Sequence, residues 1–142
     1  MPPPTTHNLG FLLAKASQRW NEELHRGFSS AGYPEVRPAY GSILLPLFEE
    51  DELRMGELAR RARLSKQTVT TLVRLMVREG LVSRRPDDTD GRAVVVQLTG
   101  RARKFEAVAG RVLDGLGQRV EERLGAREAR RLEQSLRKVM DL

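Results

Sequence analysis

Residues 54–99 read RMGELARRARLSKQTVTTLVRLMVREGLVSRRPDDTDGRAVVVQLT, and this stretch predicts two short helices separated by a tight turn, followed by a β-hairpin. The first helix covers residues 55–61, and the connector after it turns further apolar side chains inward. Ser65 then offers a hydroxyl to cap the second helix. That helix runs to Glu79 and stops at Gly80, where a left-handed residue costs little.

The second helix has two chemically different faces. Its apolar side chains recur at spacings of three and four, so they predict one buried stripe: Val69, Leu72, Val73 and Met76. The outward side chains are short hydrogen-bonding groups or cations, the types that reach base edges and phosphates from the major groove of DNA. These candidate DNA-binding residues are Ser65, Lys66, Gln67, Thr68, Thr70, Thr71 and Arg74.

A β-hairpin with a charged tip follows the second helix. Residues 81–85 predict one strand, and the β-branched run at 93–98 predicts the other. Arginines flank the turn-rich tip, which suits a wing that lies along the DNA backbone or places an arginine in the minor groove. The carboxylate of Asp90 repels phosphate, so we expect it to pair with a wing arginine and orient the guanidinium. The wing arginines are Arg84, Arg85 and Arg92.

Taken together, these segments resemble the MarR family of transcriptional regulators. The D-x-R of the wing, followed by a β-branched run and L-T, is the most specific part, and a weaker similarity extends over nearly the whole chain. Two departures are modest: Asp88 stands where many relatives carry proline, and residues 100–103 lack the family's P-x-G-R. The segments that carry the resemblance are residues 56–59, 64–70, 79–82, 90–92 and 96–99.

The resemblance implies a mainly α fold with a small β-hairpin wing (α+β), in which N- and C-terminal dimerisation helices flank a winged helix-turn-helix. It implies a homodimer that binds a pseudo-palindromic operator, with half-sites roughly 34–36 Å apart. It also implies a repressor, less often an activator, that a small ligand releases from DNA. We accordingly divide the chain into an N-terminal tail and dimerisation helix, a DNA-binding lobe and C-terminal dimerisation helices, at residues 1–33, 34–99 and 100–142.

The flanking segments predict helices that cannot stand alone. Apolar residues recur at helical spacing from Leu9 to Phe28, and a second helix is expected to begin near Pro38. A long helix is expected from about Gly100, with a final helix after Gly125. The terminal helices are too long for a lobe of fifty residues to cover, so we expect a second copy to bury them. The alternative, an elongated monomeric bundle, would leave apolar patches exposed.

The placement of charge supports a phosphate-binding lobe. The 142 residues carry a net charge of +6, and their number suggests one domain or two small lobes. Residues 54–104 hold 13 Lys and Arg against 5 Asp and Glu, so this segment carries +8 and the remainder −2. Arginines that only solvated the surface would not concentrate in this way, and the pattern is that expected of a nucleic-acid-binding protein.

Composition also excludes several classes of protein. The chain has no cysteine, which excludes disulfides and thiol-based redox switches. No apolar run approaches the roughly 20 residues of a membrane span, and the proline-rich start lacks a signal-peptide pattern. We therefore expect a cytoplasmic protein without membrane association.

Catalysis is the hypothesis from a different class, and the sequence disfavours it. The only histidines are His7 and His25, and no nucleophile elbow, P-loop, dinucleotide fingerprint or metal-ligand spacing occurs. The acidic run at 87–90 lacks the glycine and distal glutamate of a calcium loop. The run at 49–52 is expected to be an exposed turn between helices, with Asp51 helping to cap the next one. We therefore expect no enzyme activity, no cofactor and no metal.

A winged helix that docks a protein instead of DNA is the remaining alternative. The outward face of the second helix argues against it, because that face has no large apolar anchor of the kind that dominates protein interfaces.

The resemblance further implies a small effector, aromatic or anionic, bound where the dimerisation helices meet the DNA-binding lobe. Trp20, Tyr40 and Phe105 are the aromatic candidates for that site, and Arg37 or His25 is the candidate partner for an anion. For any one of these aromatic residues, a place in the hydrophobic core is the favoured explanation.

Overall fold

A computed structural model describes residues 1–142 and confirms the mainly helical fold with a β wing. The first three helical elements are α1 (Leu9–Ser30), a 3₁₀ turn (Pro38–Tyr40) and α2 (Gly41–Glu50). A short strand β1 (Glu52–Arg54) precedes α3 (Met55–Ala62) and α4 (Lys66–Arg78). The wing consists of β2 (Val82–Pro86) and β3 (Val94–Leu98), and the chain ends with α5 (Gly100–Leu124) and α6 (Ala126–Met140).

The chain divides into two compact units. The winged-helix unit is His25–Ala109, and the helical unit comprises Met1–Leu24 and Gly110–Leu142. Both boundaries therefore fall inside helices, α1 and α5. The three-part division at residues 33 and 99, which assigns each flanking helix to dimerisation as a whole, stays a prediction.

The winged-helix unit has a continuous apolar core. The predicted stripe of α4 lies in it, with three of the four residues buried and Leu72 partly so. Burial of each such side chain contributes about 1.5–3 kcal/mol, so this stripe fixes which face of α4 points outward. Among the largest fully buried side chains are Tyr40, Ile43, Leu44, Leu47, Leu58, Val69, Val73, Met76, Leu81 and Phe105.

A three-stranded antiparallel sheet, with strand order β1-β3-β2, forms the wing and its base. Arg54 of β1 and Arg85 of β2 both pair with Val95 of the central strand, and Glu52 pairs with Gln97. Directly opposed residues in a sheet share a face. Glu52, Arg54 and Arg85 therefore lie on the same face of the sheet, with the central strand between the two arginines.

Strand β1 corrects the expectation that residues 49–52 form an exposed turn between helices. Helix α2 runs to Glu50, Asp51 ends it with φ 67°, and Glu52 already belongs to the sheet. Asp51 does not cap α3, whose N-cap is Arg54 without a side-chain hydrogen bond. The physical reason is hydrogen bonding. The edge of β3 that faces away from β2 has backbone N–H and C=O groups that need partners, and residues 52–54 supply them by forming a strand.

The helical unit leaves apolar surface exposed. Helix α6 has no buried residue, although its sequence places leucines on one side at helical spacing. None of the helices combines the length and apolar character that a bilayer span requires. The exposed large apolar residues of this unit are Met1, Leu9, Phe11, Leu12, Leu132, Leu136, Met140 and Leu142.

Candidate nucleic-acid interface

The turn between α3 and α4 fixes the start of the outward helix. Arg63 ends α3 in the left-handed conformation, with φ 57° and ψ 42°. Ser65 is extended, and its Oγ accepts a hydrogen bond from the backbone N–H of Thr68 at 3.1 Å, as an N-cap should. The same hydroxyl donates to Thr68 Oγ1 at 2.9 Å. The predicted cap is therefore present, and the hydroxyls of Ser65 and Thr68 are hydrogen-bonded to each other.

The outward face of α4 is polar and cationic. Lys66, Gln67, Thr71 and Arg74 are exposed, and Thr70 is half-buried. The hydroxyls of Thr70 and Thr71 donate to the carbonyl oxygens four residues earlier, at 2.8 and 3.0 Å. The hydroxyl protons of both threonines are thus used in hydrogen bonds within the helix. The lone pairs of the hydroxyl oxygens and the threonine methyl groups remain available to a ligand. Such groups can accept from an exocyclic amine of adenine or cytosine, or contact a thymine methyl.

The wing presents two exposed arginines beside its tip. Arg84 is exposed on β2, and the side chain of Arg92 is 96% exposed. Asp90 Oδ1 accepts a hydrogen bond from the backbone N–H of Arg92 at 3.1 Å and lies 3.7 Å from Arg92 Nε. The structure thus places Asp90 beside the arginine that it is predicted to orient. Arg85 differs from the other two, because it is half-buried.

Two ion pairs link the wing to β1. Arg85 donates to Glu52 Oε2 at 2.8 Å, and Arg54 donates to Asp87 Oδ2 at 2.7 Å. The sequence pattern does not mark Glu52, Arg54 or Asp87 as functional residues. The partners in each pair are 33 residues apart, and β1 is too short to give a periodic signal, so only knowledge of the sheet register could have found them.

The contacts at the base of the wing favour the charged forms of Asp87 and Arg85. The hydrogen bond from the Thr89 hydroxyl is the largest effect lowering the pKa of Asp87 below its ordinary 3.8, and the Asp90 amide and the Arg54 guanidinium act in the same direction. The hydrogen bond to Glu52 likewise raises the pKa of Arg85. Asp87 and Arg85 therefore both carry a full charge at neutral pH.

The candidate effector residues are distributed over both units. Tyr40 and Phe105 are completely buried in the core of the winged-helix unit, where the Phe105 ring packs against Phe28 and Tyr33 with centroid distances of 4.8 and 5.0 Å. Arg37 and His25 are exposed residues of the same unit. Trp20 belongs to the helical unit. It is half-buried and lines a cleft of about 980 Å³ between α1, α5 and α6.

One further buried polar pair lies at the end of α4. The Tyr40 hydroxyl and Glu79 Oε2 are both buried, and neither has a hydrogen-bond partner of good geometry. Burial first, and the nearby Glu79 carboxylate second, raise the pKa of Tyr40 above its ordinary value. This pair connects the start of α2 with the C-terminal end of the outward helix.

Comparisons with known proteins agree with this geometry. The sequence model of the MarR family matches residues 41–93. The HTH-type transcriptional repressor YetL of Bacillus subtilis is 33% identical over 102 residues, which cover 69% of this chain and 59% of that repressor. The match therefore spans less than two thirds of that relative's length.

Two solved structures share the fold along nearly their whole length. The PcaV transcriptional regulator from Streptomyces coelicolor, in complex with its natural ligand, has a TM-score of 0.83 at 21% identity, covering 99% of this chain and 98% of its own. A mutant MarR from E. coli, complexed with operator DNA, has a TM-score of 0.76 at 24% identity, covering 92% of each chain.

Proposed function

We propose that the chain is a member of the MarR family of winged-helix proteins, a transcriptional regulator that binds double-stranded DNA of specific sequence as a homodimer. The observation that carries this proposal is the orientation of α4. Its apolar stripe is buried, so its cations and hydrogen-bonding groups are held outward on a helix that a major groove can receive. We refer to α4 as the recognition helix.

The contacts divide into two kinds. Lys66, Gln67 and Thr71 lie in the first half of the recognition helix and are placed to reach base edges, with Thr70 beside them. Arg74, Arg84 and Arg92 are cations further along the surface, suited to phosphates or to a minor groove. Ser65 and Thr68 contribute through the helix cap, which aims the backbone N–H groups of the first turn outward.

A second copy of the chain is the proposed occupant of the exposed apolar surface of the helical unit. Leu132, Leu136 and Met140 follow one side of α6, and none of them is buried within the chain. Apolar surface of this kind on a folded domain marks an interface. A two-fold dimer would place two recognition helices in successive major grooves of a pseudo-palindromic operator.

Regulation by a small aromatic or anionic effector is part of the proposal, with repression as the output. PcaV is described in complex with a natural ligand and YetL as a repressor, which supports both points by analogy. Trp20 is the only tryptophan, so its fluorescence reports on the cleft that it lines. Of the effector candidates, Trp20, Arg37 and His25 are accessible, whereas Tyr40 and Phe105 would have to act from within the core.

Selection of bound fragments from random duplex DNA tests the central claim. We expect an enriched inverted repeat and, on the selected site, a loss of at least about tenfold in affinity for Arg74→Ala, in line with the range for charge-assisted contacts. Arg111→Ala is the matched control, because Arg111 is an equally exposed helical arginine in the helical unit. Failure to enrich any sequence would contradict the proposal and favour a protein-docking winged helix. If a site is selected but Arg74→Ala and Arg111→Ala bind it equally well, the assignment of α4 as the DNA-contacting helix is wrong.

A further inference from the structure

The base of the wing is held from two sides by residues of β1. Arg85 Nη2 donates to Glu52 Oε2 at 2.8 Å, and Arg54 Nη2 donates to Asp87 Oδ2 at 2.7 Å. Each pair joins one residue of β1 to one residue of the wing. Since β3 lies between β1 and β2, the two ion pairs cross the central strand and link the two outer strands of the sheet. We call this set of four the β1–wing clamp.

Asp87 is the centre of the hydrogen bonding at the wing tip. Its side chain is only 15% exposed. Besides Arg54, its Oδ2 accepts from the Thr89 hydroxyl at 2.7 Å, from the Thr89 N–H at 3.3 Å and from the Asp90 N–H at 3.1 Å. Arg54 also donates to the Thr89 hydroxyl at 3.2 Å. The turn conformation of residues 87–90 is therefore set by one carboxylate that β1 holds in place.

This arrangement continues to the exposed arginine. Asp87 fixes the backbone of Asp90, and Asp90 Oδ1 in turn accepts from the backbone N–H of Arg92 at 3.1 Å. A continuous series of contacts thus runs from Arg54 through Asp87 and Asp90 to Arg92. The last member is the one whose guanidinium faces solvent, since its side chain is 96% exposed.

Arg85, by contrast, has its guanidinium committed within the chain. One nitrogen donates to Glu52, and the other donates to the Pro86 carbonyl oxygen at 3.2 Å and lies 3.6 Å from Asp88 Oδ1. An arginine held in this way has its planar fork directed at protein oxygens and not at a phosphate.

From this geometry we propose that the β1–wing clamp is a positioning device for DNA binding: Arg54, Asp87, Glu52 and Arg85 fix the wing so that Arg92 meets the duplex, and Arg85 acts through the wing instead of touching DNA. The inference rests on the proposed DNA-binding function and names residues outside the recognition helix on which that function depends.

Removal of the Asp87 carboxylate distinguishes a positioning role of this residue from a purely electrostatic effect on DNA affinity. Asp87→Ala takes a carboxylate away from a DNA-facing lobe, so long-range electrostatics alone would tighten binding. The clamp predicts the opposite sign, a loss of roughly three- to tenfold in affinity for the selected site, the range of coupling between contacting residues. Asp88→Ala is the matched control. Asp88 is the adjacent carboxylate and 90% exposed, and Arg85, which it approaches to 3.6 Å, keeps its hydrogen bonds to Glu52 and Pro86 without it, so the removal of Asp88 should leave affinity equal or slightly higher.

Two further readouts apply to the same variants. Hydroxyl-radical footprinting should show weaker protection of the DNA beside the wing in Asp87→Ala, with protection by the recognition helix retained. The slope of log affinity against log salt concentration should fall by about one for loss of one phosphate contact. Tighter binding by Asp87→Ala, or a footprint identical to that of the parent, would overturn the proposal.

A charge swap tests Arg85 directly. Glu52→Arg and Arg85→Glu, each alone, should weaken binding, because each places like charges in contact. The double variant restores an opposite-charge pair and the parental net charge, so the clamp predicts recovery to within about twofold of the parent. If Arg85 instead contacts DNA, the double variant will keep the full defect of Arg85→Glu, and that result would reject the positioning role.

The outcome for the unmodified protein distinguishes the two proposals. If it selects no DNA sequence, the DNA-binding function itself fails. If it selects a site and the Asp87, Asp88 and charge-swap variants all bind that site like the parent, only the clamp is wrong. Circular dichroism and a thermal melt of each variant establish that the compared proteins are folded. Because the residues concerned lie in the wing and β1, outside the apolar core, we expect all of the variants to fold.

Discussion

The hydroxyl of Thr99 donates a hydrogen bond to the carbonyl oxygen of Gly80 at 2.6 Å. Thr99 also lies directly before α5, and its Oγ1 accepts from the backbone N–H of Ala102 at 3.3 Å, in the position of an N-cap. The Thr99 side chain thus links the start of α5 to Gly80, which lies just beyond the C-cap of the recognition helix.

Removal of this hydroxyl should therefore affect two elements together. We expect Thr99→Ala to lower the free energy of unfolding by about 1–2 kcal/mol, from the lost cap and the unpaired carbonyl oxygen. Thr99→Ser keeps the hydroxyl and should retain most of the stability. Urea denaturation measures the difference, and equal stability of the alanine and serine variants would show that the contact contributes nothing.

Gly80 itself should resist substitution for a purely conformational reason. Its φ is +77°, and a Cβ at this position would meet nothing within 4 Å. Gly80→Ala should destabilise the fold by about 1 kcal/mol or more, because alanine adopts the left-handed conformation only at a cost. Gly56→Ala is the control with the opposite expectation. Gly56 lies in α3 with a negative φ and open space around it, so alanine should not destabilise the protein.

The recognition helix was predictable because its signals are local. A hydroxyl residue at the start, an apolar spacing of three and four, and a glycine at the end are properties of consecutive residues, and each matches the structure from Ser65 to Gly80. Its outward face then follows from the buried one. The same local reasoning located β2 and β3 within one residue.

The β1–wing clamp was not predictable, because its partners meet only through the sheet register. Glu52 and Arg54 read as the end of an acidic run and the start of a helix, and nothing nearby marks them as a strand. The aromatic candidates show a different limit. The side chains that suit an effector pocket, Tyr40 and Phe105, are also those that best fill a core, and sequence alone does not separate the two uses.

Base contacts and backbone contacts should respond differently to mutation. Gln67→Ala should change the preferred base at one operator position, with a discrimination of about 1–3 kcal/mol lost there. Arg92→Ala should weaken binding to all sequences and reduce the salt dependence. Affinity measured on a panel of single-base operator variants at two salt concentrations separates the two effects. Identical behaviour of both variants and the parent would show that the recognition helix has been misplaced.

The Asp87 carboxylate gives the wing a defined pH dependence. Its folded-state pKa is lowered from the ordinary 3.8, so the ionised form is the one that stabilises the fold. That contribution is fully present above the ordinary pKa and is lost as pH falls through the lowered value. The groups that face it are Arg54, Thr89, the Asp90 amide and, at longer range, Arg85.

The stability difference between the parent and Asp87→Asn should therefore be constant from neutral pH down to about pH 5 and shrink only in more acid solution. Urea unfolding at a series of pH values measures it. A difference that already declines between about pH 7 and pH 6 would point to a histidine and not to this carboxylate. Asp88→Asn provides the comparison, because the Asp88 side chain is 90% exposed and its replacement should change the free energy of unfolding little.

The proposed dimer can be tested with two leucines of similar exposure. Leu136 on α6 is 39% exposed, and Leu45 on α2 in the winged-helix unit is 47% exposed. If a second copy covers α6, Leu136→Asp buries a carboxylate in the interface and should shift the protein towards monomer by at least about tenfold in dissociation constant. Leu45→Asp makes the same chemical change outside that surface and should leave the dimer intact. Sedimentation equilibrium measures both. If the parent sediments as a monomer, or if Leu45→Asp dissociates the dimer and Leu136→Asp does not, α6 is not part of the interface. The exposed leucines on one side of α6, a helix with no buried residue, would then need another explanation.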